Sequence, residues 1–433
     1  MRQESSNVGS RGIMREKVLL TLGRLPKALE LARALSKAGA EVHVADPWRS
    51  HLSRPSRSVS RRHGLPPPAS DSGAYADALW RIIDQHKIDH VFPVSEEILH
   101  VAPLKERLGE RMFSPTANSL IQLHNKHAFI DLARNHGLKA PDTFAADTEE
   151  ARQFVDKSDY VVKPLNGCSG KGLSLKKAGT PLSAAENAPH MVLQRRIYGR
   201  ELSSFSIARN GRTLGTVVYR GLILAGSVAC CFERVDDAAD AEHWARDFVA
   251  AEKYTGFIGF DFIEDQNGIA WPIECNPRMT SGIHFMVDDD VAAAALDCAF
   301  RGHVRLKRQT AFQEGHTALT MAYKDLFKPQ RFLGHLRNMA RSEDVLFRLD
   351  DPLPFFLMTP MSWRLLIGAL LRKQSFGEAA TADLAWTAPP TRDSVNAFNN
   401  VIASKATTSS LEPASTPAND EHDHVKYGVS RGK

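Results

Sequence analysis

The sequence predicts a mixed α/β and α+β protein: a parallel-sheet domain first, an α+β region after it, and a small helical region towards the end. Three observations carry that expectation. Residues 17–46 read strand, helix, strand, the rhythm of a βαβ unit. Residues 160–235 hold short strands of alternating character separated by Gly-rich turns. Residues 257–278 read as two strands joined by the turn Glu264-Asp265-Gln266-Asn267-Gly268.

The bulk numbers fit such a protein. A chain of 433 residues has room for about three domains. Hydrophobic content of 43% and charge of 24% are ordinary for a soluble globular protein. The net charge of +5 is mild, and no basic stripe is interleaved with aromatics, so no nucleic-acid partner is expected. Five cysteines without repeat spacing argue against a disulfide framework and for a reducing, cytoplasmic setting. The N-terminus lacks an apolar signal core. Phe355 to Leu371 is apolar but interrupted by Pro360 and Arg364, so no transmembrane segment is expected. A homodimer is the common default for a soluble enzyme.

In order, residues 1–14 read as a disordered tail. Lys17 to Gly23 is a buried strand, Pro26 to Lys37 a helix stopped by Gly39, and Glu41 to Asp46 a second strand. The single Gly23 is not a dinucleotide fingerprint. Residues 47–70 read as a loop rich in Arg, Ser and Pro. A helix from Ala74 to His86 and a strand from His90 to Val94 complete a Rossmann-like N-terminal domain. Ser95 and Glu96 then sit past a strand's C-terminal end, where open α/β sheets bind ligands. A helix cap explains them equally well.

From His124 the character changes. Asn125-Lys126 opens a helix. Tyr160 to Pro164 is a strand with Lys163 near its end, and the loop Gly167-Cys168-Ser169-Gly170-Lys171-Gly172 follows. Such a loop presents backbone N–H groups to phosphates, or is a plain hairpin turn; it lacks Walker A spacing. Met191 to Gln194 is a strand, and Gln194 and Glu201 bracket a hinge. Residues 213–235 read as an antiparallel pair carrying Arg220 and Arg234, and roughly 238–255 as a helix. In the final hairpin Glu274 and Asn276 lie two apart, hence on one face, and Asp261 can converge with them. Two carboxylates and an amide oxygen make a hard site suited to Mg²⁺ (or Mn²⁺) held partly by nucleotide phosphates. Arg278 follows and can reach a phosphate with a bidentate fork.

Asn125-Lys126, Val162-Lys163-Pro164, the loop 167–172, Gln194 … Gly199-Arg200-Glu201, Asp261 and Ile273-Glu274-Cys275-Asn276-Pro277-Arg278 occur in an order that resembles the ATP-grasp superfamily. The nearest subgroup looks like the carbamoyl-phosphate-synthase-like ligases, and the likeness covers about 115–300. It implies an ATP-grasp fold of two α+β subdomains gripping ATP, behind a Rossmann-like domain and ahead of a small helical C-terminal region. The implied boundaries are 15–118 for the first domain, 119–193 for the small lid subdomain, 194–310 for the large subdomain, 311–395 for the helical region and 396–433 for a disordered tail.

The resemblance also implies roles. Lys126 and Lys163 would hold α- and β-phosphates. The loop with Ser169, Gly170, Lys171 and Gly172 would fold over the triphosphate, with Lys171 and Arg278 in catalysis. Gln194 and backbone near Arg196 and Ile197 would grip adenine, and Glu201 the ribose. Asp261, Glu274 and Asn276 would ligate Mg²⁺. The sequence departs from the pattern at Gln194, where many relatives have Glu, and at Asp261, where Glu or Gln is common.

The expected activity is an ATP-dependent carboxylate–amine ligation through an acyl phosphate, with small-molecule acid and amine substrates. The acid would lie near Arg220, Arg234 and Arg278, with His284 on its far side or simply structural. Bicarbonate chemistry of the carbamoyl-phosphate-synthase type and a non-catalytic ATP sensor are the alternatives. The segment Ser342 to Phe356 resembles one found after the grasp domain in mycosporine-pathway-type amino-acid ligases. The simpler reading is a chain break at Asp351-Pro352-Leu353-Pro354 before a helical hairpin, with Phe355 to Leu371 packing on the catalytic core; a peripheral membrane contact by the same stretch is the alternative.

Overall fold

The computed structural model describes residues 15–167, 172–226, 228–371, 379, 381–384 and 386. Three sheets organise them.

The first sheet is built from β1 (Lys17–Leu20), β2 (Glu41–Asp46), β3 (Arg61–Gly64) and β4 (His90–Phe92), all parallel, in the order β3-β2-β1-β4. The connecting helix α1 (Pro26–Lys37) starts on a proline, whose missing N–H costs nothing in a first turn. It buries Leu29, Leu31, Ala32 and Leu35. Helix α2 (Ser72–His86) is capped by Asp71, whose carboxylate accepts from the Ala74 N–H. Strand β3 falls inside the stretch read as a loop. Arg61-Arg62-His63-Gly64 has no apolar alternation, and it is extended because its backbone pairs with His43 to Asp46 of β2. Short helices α3 (Ile98–Val101), α4 (Leu104–Leu108) and α5 (Ala117–His124) lead out of this sheet.

The second sheet follows α6 (Lys126–Asn135). It comprises β5 (Thr143–Ala145), then, after α7 (Glu149–Phe154), β6 (Tyr160–Pro164), β7 (Ser174–Lys176) and β8 (Met191–Arg195), antiparallel in the order β5-β8-β6-β7. Tyr160, Val162 and Leu193 pack with Phe154 beneath it.

The third sheet is the largest. It contains β9 (Arg200–Arg209), β10 (Arg212–Ala225), β11 (Val228–Arg234), β12 (Gly256–Glu264) and β13 (Ala270–Asn276), with α8 (Ala239–Ala251) between β11 and β12. After α9 (Asp288–Leu296) the chain adds β14 (Ala311–Gln313), α10 (Gly315–Lys324), α11 (Pro329–Arg341) and β15 (Glu343–Asp344). The strand order is β13-β12-β9-β10-β11-β14-β15. The segment expected to be helical thus also supplies two strands, β14 and the edge strand β15: Phe312 packs against Phe285 and anchors β14 there. Leu353–Leu371 forms one helix, α12, with Pro360 inside it, rather than a hairpin of two.

Alternation along β12 separates the faces of this sheet. Ile258, Phe260 and Phe262 pack with Trp244 and Phe248 of α8 and Phe129 of α6. Phe257, Gly259 and Asp261 face the other way, where Phe257 joins a core shared with α1 and the first sheet.

Candidate active site

The geometry starts from one row of side chains. Register pairs Asp261 of β12 with Glu274 of β13 and with Ser203 of β9, and Ser203 with Tyr219 of β10. Directly paired residues share a face, so Tyr219, Ser203, Asp261 and Glu274 form a line across four strands. Ser203 Oγ donates to Asp261 Oδ1 at 2.6 Å, and Asn276 Nδ2 donates to Asp261 Oδ2 at 2.9 Å. Burial pushes the Asp261 carboxyl pKa up, and Glu274 beside it adds to the shift.

The hairpin has a bulge at this point. Asp261 pairs with Glu274 but Phe262 pairs with Pro272, which leaves Ile273 outside the ladder. Its carbonyl accepts from Lys163 Nζ of β6 at 2.7 Å. Lys163 also donates to Gln194 Oε1 of β8 at 2.9 Å, and Gln194 Nε2 donates to Thr143 Oγ1 at 2.9 Å. Burial draws the Lys163 ammonium down to about 8, against the upward pull of Glu274.

Lys126 opens α6, with Asn125 as its cap accepting from the His127 and Ala128 N–H groups. Its Nζ donates to the Gly167 carbonyl at 2.6 Å and lies 3.5 Å from Glu274 Oε1. Two lysines, two carboxylates and an amide therefore meet where the second and third sheets face each other. Arg278, past the end of β13, pairs with Glu96 of the first domain at 3.3 Å. The placement of Glu96 beyond β4 thus brings it to the site, while Glu97 takes the structural work, accepting from Thr21 Oγ1 and the Val94 and Ser95 N–H groups.

The donor set fits a hard divalent cation. Asp261 is met by neutral donors and a second carboxylate, an arrangement that leaves two negative charges side by side for a cation to bridge.

Other expected positions lie elsewhere or are already engaged. Gln194 is buried with both ends of its amide bonded within the protein, so it orients Lys163 rather than offering an edge to a base. Arg196 and Ile197 are half-buried at the β8–β9 junction, and Glu201 is exposed on β9 opposite Ile263. Gly172 borders Pro164 of β6, with φ +72°. Ser169, Gly170 and Lys171 lie outside the described residues. Arg220 follows Tyr219 on its strand, so it points to the opposite face, where it is exposed and paired with Glu233 at 2.5 Å. Arg234 is held by Asp236 at 2.7 Å and the Lys307 carbonyl at 2.8 Å. His284 is buried, with Nδ1 3.4 Å from Glu30 of α1, and forms part of the packing between the first domain and the large sheet.

Three residues that the sequence reading passed over join the site. Ser203 and Tyr219 enter through strand register, and Tyr219 donates from its hydroxyl to Thr280 Oγ1 at 3.1 Å. His124, the last residue of α5, has Glu96, Lys126, Glu274 and Arg278 as charged neighbours, and burial pushes its imidazole pKa down. Its adjacency to Asn125-Lys126 was the one available signal.

Residues 123–282 match the ATP-grasp domain. The structure is similar to an L-amino acid ligase from Bacillus licheniformis, with a TM-score of 0.52 and 17% identity over 67% of this chain and 78% of that one. It is also similar to N5-carboxyaminoimidazole synthetase from Staphylococcus aureus, solved with ADP: TM-score 0.57, 15% identity, 73% of this chain and 87% of that one. Biotin carboxylase from Campylobacter jejuni gives a TM-score of 0.53 at 15% identity, over 67% of this chain and 73% of that one. No curated protein matches the sequence. The domain and the fold define the class: residues 123–282 form an ATP-grasp domain, and the chain has the fold of ATP-grasp proteins.

Proposed function

We propose that the protein is a carboxylate–amine ligase that joins an amino acid or small amine to a small carboxylic acid through an acyl phosphate. The observation that carries this reading is the convergence of Lys126, Lys163, Asp261, Glu274 and Asn276 at one junction of two sheets. Phosphoryl transfer to a carboxylate needs positive charge around the β- and γ-phosphates and little else, and this site offers charge and position without a nucleophile–histidine pair.

In this reading Asp261, Glu274 and Asn276 would hold Mg²⁺, which would supply positive charge at the phosphates. Lys126 and Lys163 contribute ammonium charge from fixed positions, each already aimed by a carbonyl acceptor. Arg278, steadied by Glu96, faces the acid substrate or the phosphoryl group in transit. A carboxylate oxygen takes the γ-phosphoryl group and ADP is released. The amine nitrogen then attacks the acyl carbon, phosphate leaves, and the amine gives up a proton. Closure of the small sheet over the large one excludes water that would hydrolyse the acyl phosphate.

The test is ADP release from purified protein with Mg-ATP and pools of amino acids and small acids, beside Glu274→Ala. Expected is substrate-dependent ADP that falls at least a hundredfold in the variant, about 3 kcal/mol of transition-state stabilisation. Tight ATP binding without turnover under any pool would instead favour a sensor.

A further inference from the structure

The C-terminal helices carry a surface that the active site does not use. Helix α11 places apolar Phe332, Leu333, Leu336 and Met339 at helical spacing; Met339 packs beside Ile223 and Cys231 and Phe332 is half-buried, but Leu333 and Leu336 are exposed. An amphipathic helix in a folded protein normally buries its apolar stripe. Here Leu333 is 62% exposed, and in the preceding turn Phe327 is 93% exposed. Tyr323 of α10 is 60% exposed, and along the same helix His316 stacks on Phe355 of α12, whose neighbour Phe356 is also exposed. Exposed apolar side chains thus occur at the start of α12, on α10 and in the α10–α11 turn. Isolated exposed apolar residues are ordinary, but several large ones gathered on three successive helices mark an interaction surface.

Charge identifies what fits it. Residues 324–341 hold Lys324, Lys328, Arg331, Arg337 and Arg341 against one acid, Asp325, which is taken by Lys328 at 2.9 Å and His335 at 3.2 Å; Arg341 pairs with Glu233 of β11 at 3.1 Å. A second copy of this surface would meet it with the same sign of charge. An apolar face rimmed with Lys and Arg is complementary to an anionic lipid interface. Among the described residues no helix is long and apolar enough to cross a membrane. The surface would lie on the bilayer, not through it.

We propose that the α10–α11 hairpin and the first turns of α12 dock this protein on an anionic membrane surface. Apolar side chains at Tyr323, Phe327, Leu333 and Phe356 enter the headgroup boundary, and the flanking cations meet lipid phosphates. The inference stands apart from the ligase reading, and its test needs no substrate.

Full-length protein is floated with vesicles of phosphatidylcholine alone, or with added phosphatidylserine, at low and high salt. Expected is flotation that requires phosphatidylserine and is lost at high salt. Phe327→Asp combined with Leu333→Glu abolishes it, and Arg331→Glu weakens it about fivefold or more. These residues are exposed, so circular dichroism and melting of the variants should match the parent. Absence of flotation at low salt, or equal flotation of parent and Phe327→Asp/Leu333→Glu, overturns the proposal. So does a concentration-dependent dimer that the double variant dissolves, which would make the surface an interface between copies.

Discussion

Burial disfavours the charged form of both Lys163 and Glu314, and the two consequences differ. Lys163 is 7% exposed and its ammonium sits at about 8. A base whose folded pKa lies below its ordinary value costs stability at every pH below that range, here up to about 3 kcal/mol. The hydrogen bonds to Ile273 and Gln194 recover part of that cost. Lys163→Met should therefore leave the melting temperature nearly unchanged while weakening Mg-ATP binding at least tenfold by calorimetry. A large loss of stability with affinity intact would make Lys163 a structural residue.

Glu314, at the end of β14, has Thr317 Oγ1 at 3.4 Å, and burial pushes its carboxyl up to about 7. An acid with a raised folded pKa favours folding while protonated, and that contribution is lost as pH rises from the ordinary Glu range through about 7. Glu314→Gln should raise the melting temperature at pH 8 by the equivalent of about 1–3 kcal/mol and change it little at pH 4. A stabilisation equal at both pH values would refute the assignment.

At the scale of elements, the hairpin β12–β13 was legible because its period-two pattern puts one carboxylate among large apolar residues and places Glu274 and Asn276 on one face. The strand Tyr160–Pro164 and the helix after Asn125 were legible for similar reasons, an apolar run ending in a lysine and a capping asparagine. What one strand cannot encode is its neighbour's register. Ser203 and Tyr219 enter the site, and Arg220 misses it, because of pairings among β9, β10, β11 and β12 that no single segment reveals. Strand β3 was invisible for the same reason: Arg-Arg-His-Gly becomes extended only beside β2. Gly199, at the β8–β9 junction, belongs to this scale too. A Cβ there would lie 1.9 Å from the Glu264 carbonyl oxygen and 2.7 Å from its carbon, both backbone atoms at the end of β12. Gly199→Ala must push the junction between the second and third sheets apart. It should cost on the order of 1–3 kcal/mol in urea unfolding and weaken Mg-ATP binding as well. An alanine variant as stable as the parent would mean the junction yields freely.

Across the whole molecule, α1 of the first domain acts as a tie to the rest of the chain. Lys27 Nζ donates to the Met279 carbonyl at 2.6 Å, and Glu30 meets Lys307 at 2.6 Å and Arg348 at 2.8 Å. Arg33 bonds Asp351 Oδ2 at 2.9 Å and the carbonyls of Leu346 and Asp351, each at 2.9 Å. Asp351 also accepts from Ser56 Oγ at 2.7 Å and the Arg57 N–H at 3.0 Å, which fastens the basic loop after β2 to the same point. The sequence marks Asp351 only as the start of a chain break, yet it joins its own segment to two others, at Arg33 and Ser56, 318 and 295 residues earlier in sequence. Burial alone would raise its pKa, but the bonds from Ser56, Arg57 and Arg33 more than offset that and hold it below the usual carboxylate range. A depressed carboxylate contributes stability above its ordinary pKa and loses it as pH falls through that range into the folded value. Asp351→Ala leaves Arg33 buried against carbonyls alone and should cost about 3 kcal/mol at pH 7, with the difference from the parent shrinking below pH 4. Arg33→Met with Asp351→Leu should recover most of that loss, since an apolar pair can replace a buried ion pair where removing one partner cannot. Because α1 also bears Lys27 against Met279, next to Arg278, the single variant should also raise the KM for the acid in the ligase reaction proposed above. A melting curve for Asp351→Ala that overlays the parent's at pH 7 would show that the segment after β15 does not hold the first domain in place.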